Sequence, residues 1–212
     1  MKKIVFVMLV LTAGYLNECN AQLLKNYGLK IAVTSADQKY ELSLVPGLET
    51  KRRVGLNLGA FAEWFDVPFF SLLTQLEYAQ RGTGQVFVVT GPSGPNPIGT
   101  KTLFSRLDYV SVPVLAKLRL QTGLFSPYIL VGPRIDFFLG YKSDEDAFNA
   151  VYDKFKKTTL GGSAGIGVQI ASLLPVSLIA EARYNFDFAD SYETDLLKVR
   201  NNAVDFWLGV AF

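Results

Sequence analysis

Apolar residues return at every second position through eight separate segments of this chain, and that period constrains the fold more than any other feature. A period of two belongs to strands, whose successive side chains point to opposite faces. Tyr27, Leu29, Ile31 and Val33 open the series, followed by Val54, Leu56, Leu58, Ala60, Ala62 and Trp64. The third segment carries Phe70, Leu72, Thr74, Leu76 and Tyr78, and the fourth Val110, Val112, Val114, Ala116 and Leu118. Ile129, Val131, Ile135, Phe137, Leu139 and Tyr141 form the fifth; Leu160, Ala164, Ile166, Val168 and Ile170 form the sixth. Val176, Leu178, Ala180, Ala182, Tyr184 and Phe186 make the seventh, and Val204, Phe206, Leu208, Val210 and Phe212 end the chain. No stretch beyond the N-terminal residues approaches the ~20 unbroken apolar residues of a helical membrane span. If this chain enters a membrane, strands carry it.

The positions between the apolar ones are mixed and hold most of the charge. Lys30, Arg53, Arg81, Lys117, Arg119, Arg134 and Arg183 share that face with Glu63, Glu77, Asp136, Glu181, Asp187 and Asp205. A soluble β-sandwich or lipocalin-like barrel alternates just as well, but it turns its apolar face inward. Here the charged face is nearly balanced, and no amphipathic helix is available to cover the bare aromatic and valine stripe. The pattern therefore predicts an all-β fold, an eight-stranded antiparallel transmembrane β-barrel, apolar outside and polar inside. Eight strands leave an interior just wide enough for side chains to fill. The inward charges are expected to be a lumen-lining network of ion pairs rather than the wall of an open pore. Removing Arg134 or Glu181 alone would strand a partner at a cost of ~3–5 kcal/mol in a dry interior, and much less in a wet one.

Connections alternate in length, long near 35–52, 82–106, 142–158 and 189–202, short at 65–69, 121–126 and 171–175. Short periplasmic turns and long extracellular loops are the habit of outer-membrane barrels. Aromatic residues, which favour the membrane–water interface, fall on two rims. Tyr27, Trp64, Phe70 and Phe212 map to the short-turn rim; Tyr78, Tyr141, Phe186 and Phe188 map to the long-loop rim. Residues 1–21 read as a signal peptide: Lys2 and Lys3 precede the apolar stretch from Ile4 to Gly14, and cleavage is expected after Ala21, leaving 22–212 as the barrel domain. Cys19 is the one cysteine, and Glu18 before it argues against a lipoprotein site.

Three stretches resemble the porin-like outer-membrane β-barrel family typified by PorT-type proteins, a group of small OmpA-like barrels. They are Leu107-Asp108-Tyr109-Val110-Ser111-Val112-Pro113-Val114-Leu115-Ala116-Lys117, Pro127-Tyr128-Ile129-Leu130-Val131-Gly132-Pro133-Arg134, and Trp207-Leu208-Gly209-Val210-Ala211-Phe212. The resemblance spans the mature chain and implies location in the cell outer membrane among its lipids. It also implies that the barrel-assembly machinery reads the strand ending at Phe212, and it admits envelope or secretion proteins as partners.

The sequence contains no histidine, the residue most used as a general base, and the mature chain would have no cysteine. Neither catalysis nor a metal or other cofactor is expected. Net charge is +2 with scattered bases, so nucleic acid is not an expected partner. The run Gly161-Gly162-Ser163-Ala164-Gly165-Ile166-Gly167 lacks the Lys-Ser/Thr ending of a phosphate loop and is expected to serve close packing inside the barrel. Gly91-Pro92-Ser93-Gly94-Pro95-Asn96-Pro97 marks the tip of the longest connection. In 142–157, the acids Asp144, Glu145 and Asp146 precede Phe148, Val151, Tyr152 and Phe155, a spacing compatible with a short amphipathic helix. That segment reads either as a solvated loop with a packed tip or as a lid-like docking surface. Three functions remain in view: a structural or surface-interaction barrel acting through its loops, a narrow porin or accessory barrel of a secretion apparatus, and a periplasmic ligand-binding barrel.

Overall fold

A computed structural model describes residues 23–42, 50–90, 97–120, 122–144, 149–171, 176–194 and 197–212. The expected signal peptide, residues 1–21, lies outside them, as do 91–96 of the glycine- and proline-rich tip and 145–148 of the acidic loop. Among the described residues, nine strands form one antiparallel sheet: β1 (Leu24–Leu42), β2 (Thr50–Val67), β3 (Phe70–Thr90), β4 (Pro97–Arg119), β5 (Phe125–Ser143), β6 (Thr158–Ala171), β7 (Ser177–Asp187), β8 (Tyr192–Glu193) and β9 (Leu197–Ala211). Among the described residues, a helix of four residues, α1 (Asn149–Tyr152), lies between β5 and β6. Sequential long strands pair with one another, β7 pairs with β9, and β1 pairs with β9 from Gly28↔Ala211 to Leu42↔Leu197. The first and last long strands are thus hydrogen-bonded neighbours. Each backbone end is clipped further where Phe212 N–H donates to Tyr27 O at 2.8 Å.

Eight long strands occupy the eight expected positions; the ninth, β8, pairs only with β9 at Tyr192↔Val199 and Glu193↔Lys198. Two residues are too short to display any period. The strands also run well past the expected limits. β1 reaches Leu42, and β3 stays paired with β4 through Val89↔Gly99, inside the segments expected as long connections at 35–52 and 82–106. Ladder hydrogen bonds use only backbone groups, so the sheet continues where the strict apolar alternation that marks a strand in sequence has lapsed, as through Ser35-Ala36-Asp37-Gln38 of β1.

The two faces are inverted relative to a soluble domain. Leu29, Leu58, Ile166 and Leu208 are 62%, 54%, 65% and 63% exposed, whereas Lys30, Glu77, Arg183 and Asp205 are 5%, 1%, 1% and 0% exposed. A lipocalin-like arrangement would bury the first set and solvate the second. The alternation decides this residue by residue: on β7, Glu181, Arg183 and Asn185 are buried while Tyr184 and Leu178 between and beside them are exposed. An outward surface of that apolar extent is a surface for another apolar phase.

Two glycines of β6 show why the glycine-rich run sits where it does. A Cβ on Gly167 would lie 2.4 Å from Cζ of Tyr128, and one on Gly161 would lie 2.8 Å from Nη2 of Arg134. Both side chains on the facing strand β5 fold across β6, which makes room for a phenol and a guanidinium in the enclosed space. The run is packing, as its missing Lys-Ser/Thr ending suggests.

Candidate functional site

The enclosed face is built from four polar layers stacked from the short-turn end toward the long-loop end. In the first, Glu63 accepts from Lys117 Nζ at 2.9 Å, Arg119 Nη1 at 2.9 Å and Ser71 Oγ at 2.7 Å. Lys117 also donates to Gln169 at 3.1 Å and lies 4.5 Å from the centroid of the Tyr128 ring. In the second, Glu181 accepts from Lys30 at 3.0 Å and Tyr128 at 3.1 Å. Arg183 Nε donates to the same carboxylate at 2.9 Å, Nη1 to Glu77 at 2.6 Å and Nη2 to Gln75 at 3.0 Å, with the guanidinium over the Trp207 ring.

The third layer pairs Arg81 with Asp205 at 3.3 Å, and Asp205 also accepts from Asn185 Nδ2 at 2.7 Å and from the Thr34 hydroxyl. In the fourth, Arg134 bridges Asp136 at 2.8 Å and Asp187 at 2.6 Å. Asp187 accepts further from the backbone and side-chain amides of Asn201 and from Ser191. Buried charges survive only where matched and hydrogen-bonded. Six bases (Lys30, Arg81, Lys117, Arg119, Arg134, Arg183) and six acids (Glu63, Glu77, Asp136, Glu181, Asp187, Asp205) meet that condition here.

Redundancy differs between layers, with a measurable consequence. Lys117→Met leaves Glu63 its bonds from Arg119 and Ser71, so the expected loss is about 1.5–3 kcal/mol, the range for a hydrogen bond to a charged group. Urea titration of the folded protein reads it.

Above the fourth layer the enclosed face turns aromatic. Leu107, Tyr109, Tyr152, Phe155 and Val199 form a buried cluster, with Tyr40, Phe138, Tyr141, Val151, Tyr192 and Leu197 packed against it. α1 and the turn after it carry Tyr152 and Phe155 inward, their rings 5.1 Å apart. The segment is pinned by Phe138 N–H to Lys157 O and Lys156 N–H to Ser191 O, each 2.9 Å, and by Tyr141 Oη to Asp153 at 2.8 Å. At its exposed edge Glu193 accepts from Lys198 and Lys156, and those two bonds hold its carboxyl below the usual range. Among the described residues the segment holds a single helical turn, compatible with the spacing, and Tyr152 and Phe155 cap the polar interior.

Of the thirteen charges expected on the inward face, twelve are buried there. Arg53 stands apart: it is half-buried, forms no ion pair among the described residues, and has Arg106, Asp108 and Tyr78 as its electrostatic neighbours. The β2–β3 register breaks between Arg52 and Leu58, and Arg53 lies within that break. The rim aromatics Tyr27 and Phe212 lie 5.8 Å apart, Trp64 donates to Thr74 at 2.8 Å, and Phe70 is exposed beside the short turn. At the other rim Tyr78 donates to Asp108, and Phe186 and Phe188 pack edge to face over Gly162. Tyr141 departs from the expected girdle. β5 carries a bulge, with Tyr109 opposite Phe138 but Asp108 opposite Gly140, and the extra residue turns Tyr141 to the enclosed side, opposite buried Leu107. Period counting cannot see a bulge. It also passed over Gln38 and Asn201, which bond each other at 3.0 Å above the fourth layer; the signal was the even series Lys30, Thr34, Gln38 on β1.

Residues 20–193 match the family described as outer membrane protein beta-barrel domain. No curated protein sequence matches the chain. Among solved structures, the outer membrane protein OprG from Pseudomonas aeruginosa is 10% identical, with 89% of this chain and 95% of that chain covered, at a TM-score of 0.54. Neisserial surface protein A is 17% identical, covering 89% and 99%, at 0.45. Ail, the attachment invasion locus protein of Yersinia pestis, is 14% identical, covering 88% and 98%, at 0.41.

Proposed function

The chain belongs to the outer membrane protein β-barrel family and resides in the outer membrane, and from that premise we propose that it is an eight-stranded transmembrane barrel with a filled interior, acting as a structural or surface-interaction protein through its long-loop end. The observation that carries this reading is the interior itself, where six bases meet six acids in four layers beneath an aromatic cap. A side-chain-filled interior of this size leaves the exposed loops and strand extensions as the surface available to partners. The short turns face the periplasm, which places both Tyr27 and Phe212 at the periplasmic rim. There the terminal strand, with Phe212 half exposed, is available to the barrel-assembly machinery. The acids of the interior are engaged as acceptors in ion pairs, which supports a non-catalytic role.

Planar-bilayer recording tests the filled interior: no resolvable channel is expected from the folded protein. The outward face has its own test. Leu58→Arg, at a position 54% exposed and opposite Ile31, is expected to destabilise the barrel by about 2–4 kcal/mol in a bilayer. Unfolding in phosphatidylcholine vesicles measures it, and an unchanged midpoint would remove the membrane assignment of that face.

A second reading, a narrow conduit or an accessory barrel of a secretion apparatus as the PorT-type resemblance admits, is favoured by one observation. Gln75 Nε2, Glu77 Oε2 and Arg81 Nη2 are buried midway along the interior without hydrogen-bond partners. Such groups are costly when dry and inexpensive beside water. Resolvable conductance, or co-purification of other envelope subunits, would decide for this reading.

A further inference from the structure

Beyond Val110 of β4 and Phe137 of β5 the outward face gains charge, although Leu139 and Phe104 remain exposed there. Four residues on from Val110, roughly 13 Å along the strand, Arg106 stands directly opposite Lys142 of β5. Like charges in opposed cross-strand positions repel. Arg106 reaches Asp108 at 3.0 Å, and that same carboxylate also accepts from Tyr78. Arg53, displaced from the interior by the break in β2–β3 pairing, adds a third cation beside Arg106 and Asp108. Arg53 Nη1 and Arg106 Nε are buried without a hydrogen-bond partner, while Lys142 is exposed and forms no ion pair among the described residues. Three cations thus gather near Asp108, while Asp144, two positions beyond Lys142, is already engaged by Phe104 N–H at 3.0 Å.

We propose that Arg53, Arg106 and Lys142 bind a phosphate-bearing anion at the outer edge of the apolar band. Guanidinium donors match phosphate oxygens in paired geometry, and the ammonium supplies a point charge. The height suits the headgroup layer, which flanks a hydrocarbon core of about 30 Å. The headgroup source rests on the transmembrane reading above, whereas a soluble phosphate ester would reach the same donors without it.

Native mass spectrometry of the protein in nanodiscs of phosphatidylcholine with a minor share of phosphatidic acid is the test, with inositol hexakisphosphate titrated in detergent micelles as the soluble arm. Wild type is expected to retain phosphatidic acid preferentially. Each basic residue near an anionic surface contributes about a factor of five, so Arg106→Gln with Lys142→Gln is expected to weaken retention by roughly twenty-five-fold. Arg106→Lys with Lys142→Arg should keep most of it, and Lys39→Gln, an exposed cation on β1, should leave it unchanged. Inositol hexakisphosphate binding with the same dependence on the variants assigns the site to soluble phosphate esters as well. Equal retention by wild type and a folded Gln variant in both arms overturns the site. If the Gln variant does not fold, wild-type retention that is indifferent to raising salt from about 0.1 to 1 M overturns it, because an exposed charge pair is screened over that range. Failure of the protein to float with vesicles would defeat the membrane reading alone, leaving the micelle arm to judge the site.

Discussion

Replacing Arg183 with methionine is expected to cost the folded barrel about 3–5 kcal/mol, the penalty for breaking a buried pair from one side. Arg183 is 1% exposed and binds Glu181, Glu77 and Gln75 while lying over Trp207. Methionine fills much of its volume, so the loss is electrostatic rather than a cavity. Glu181 keeps Lys30 and Tyr128, but Glu77 Oε1 loses its donor and Glu77 Oε2 has none to begin with. Glu77 is therefore the group left stranded, and adding Glu77→Gln to Arg183→Met should recover part of the loss. Urea unfolding in phosphatidylcholine vesicles, followed by tryptophan fluorescence and by the heat-modifiable gel shift, measures both variants. A loss below about 1 kcal/mol would mean that water already solvates the layer, and it would turn the balance toward the conduit.

The contrast between Arg183 and Lys117 bears on what a sequence discloses. Period-two alternation placed nearly every strand residue on its proper face, because one face is apolar against lipid and the other polar inside, so a one-residue slip would move a whole strand's side chains across the sheet. Arg134, Asp136, Glu181, Arg183 and Asp187 were legible as inward for that reason alone. Which of them meet was not legible, since Arg183 reaches Glu77 across 106 positions of sequence and Arg81 reaches Asp205 across 124. Register and stagger decide such meetings, and neither is written in a single strand. Where the ladder breaks, the period misleads: Arg53 beside the β2–β3 irregularity and Tyr141 beyond the β5 bulge left the sets to which alternation assigned them. The strand extensions toward the long-loop end were hidden because strict apolar alternation lapses there, with Tyr40 and Val199 turned to the enclosed side, while backbone pairing persists.

Phe155→Ala is expected to lower the stability of the aromatic cap by about 3–5 kcal/mol, the usual range for truncating a buried aromatic. Phe155 is 5% exposed, and its ring lies 5.1 Å from Tyr152, 6.0 Å from Phe138 and 6.0 Å from Tyr192. Those rings come from α1, β5 and β8, so one side chain ties together the three elements that close the long-loop end. Hydrogen exchange at the amides of Asp153, Phe155 and Lys156, whose bonds hold the segment in place, should accelerate by two to three orders of magnitude or more, in line with a loss of that size. The fourth charge layer is tied to the cap through Asn201, which donates to Tyr109, and through Ser191, so it is the first three layers whose amides should keep their protection. Conductance then separates cap from filling. If the charged layers fill the interior, Phe155→Ala remains silent in a planar bilayer despite its loosened cap. A channel that opens in Phe155→Ala and is absent in wild type would make the cap a gate over a wet interior, and the unpaired polar atoms of Gln75, Glu77 and Arg81 would then mark the path beneath it.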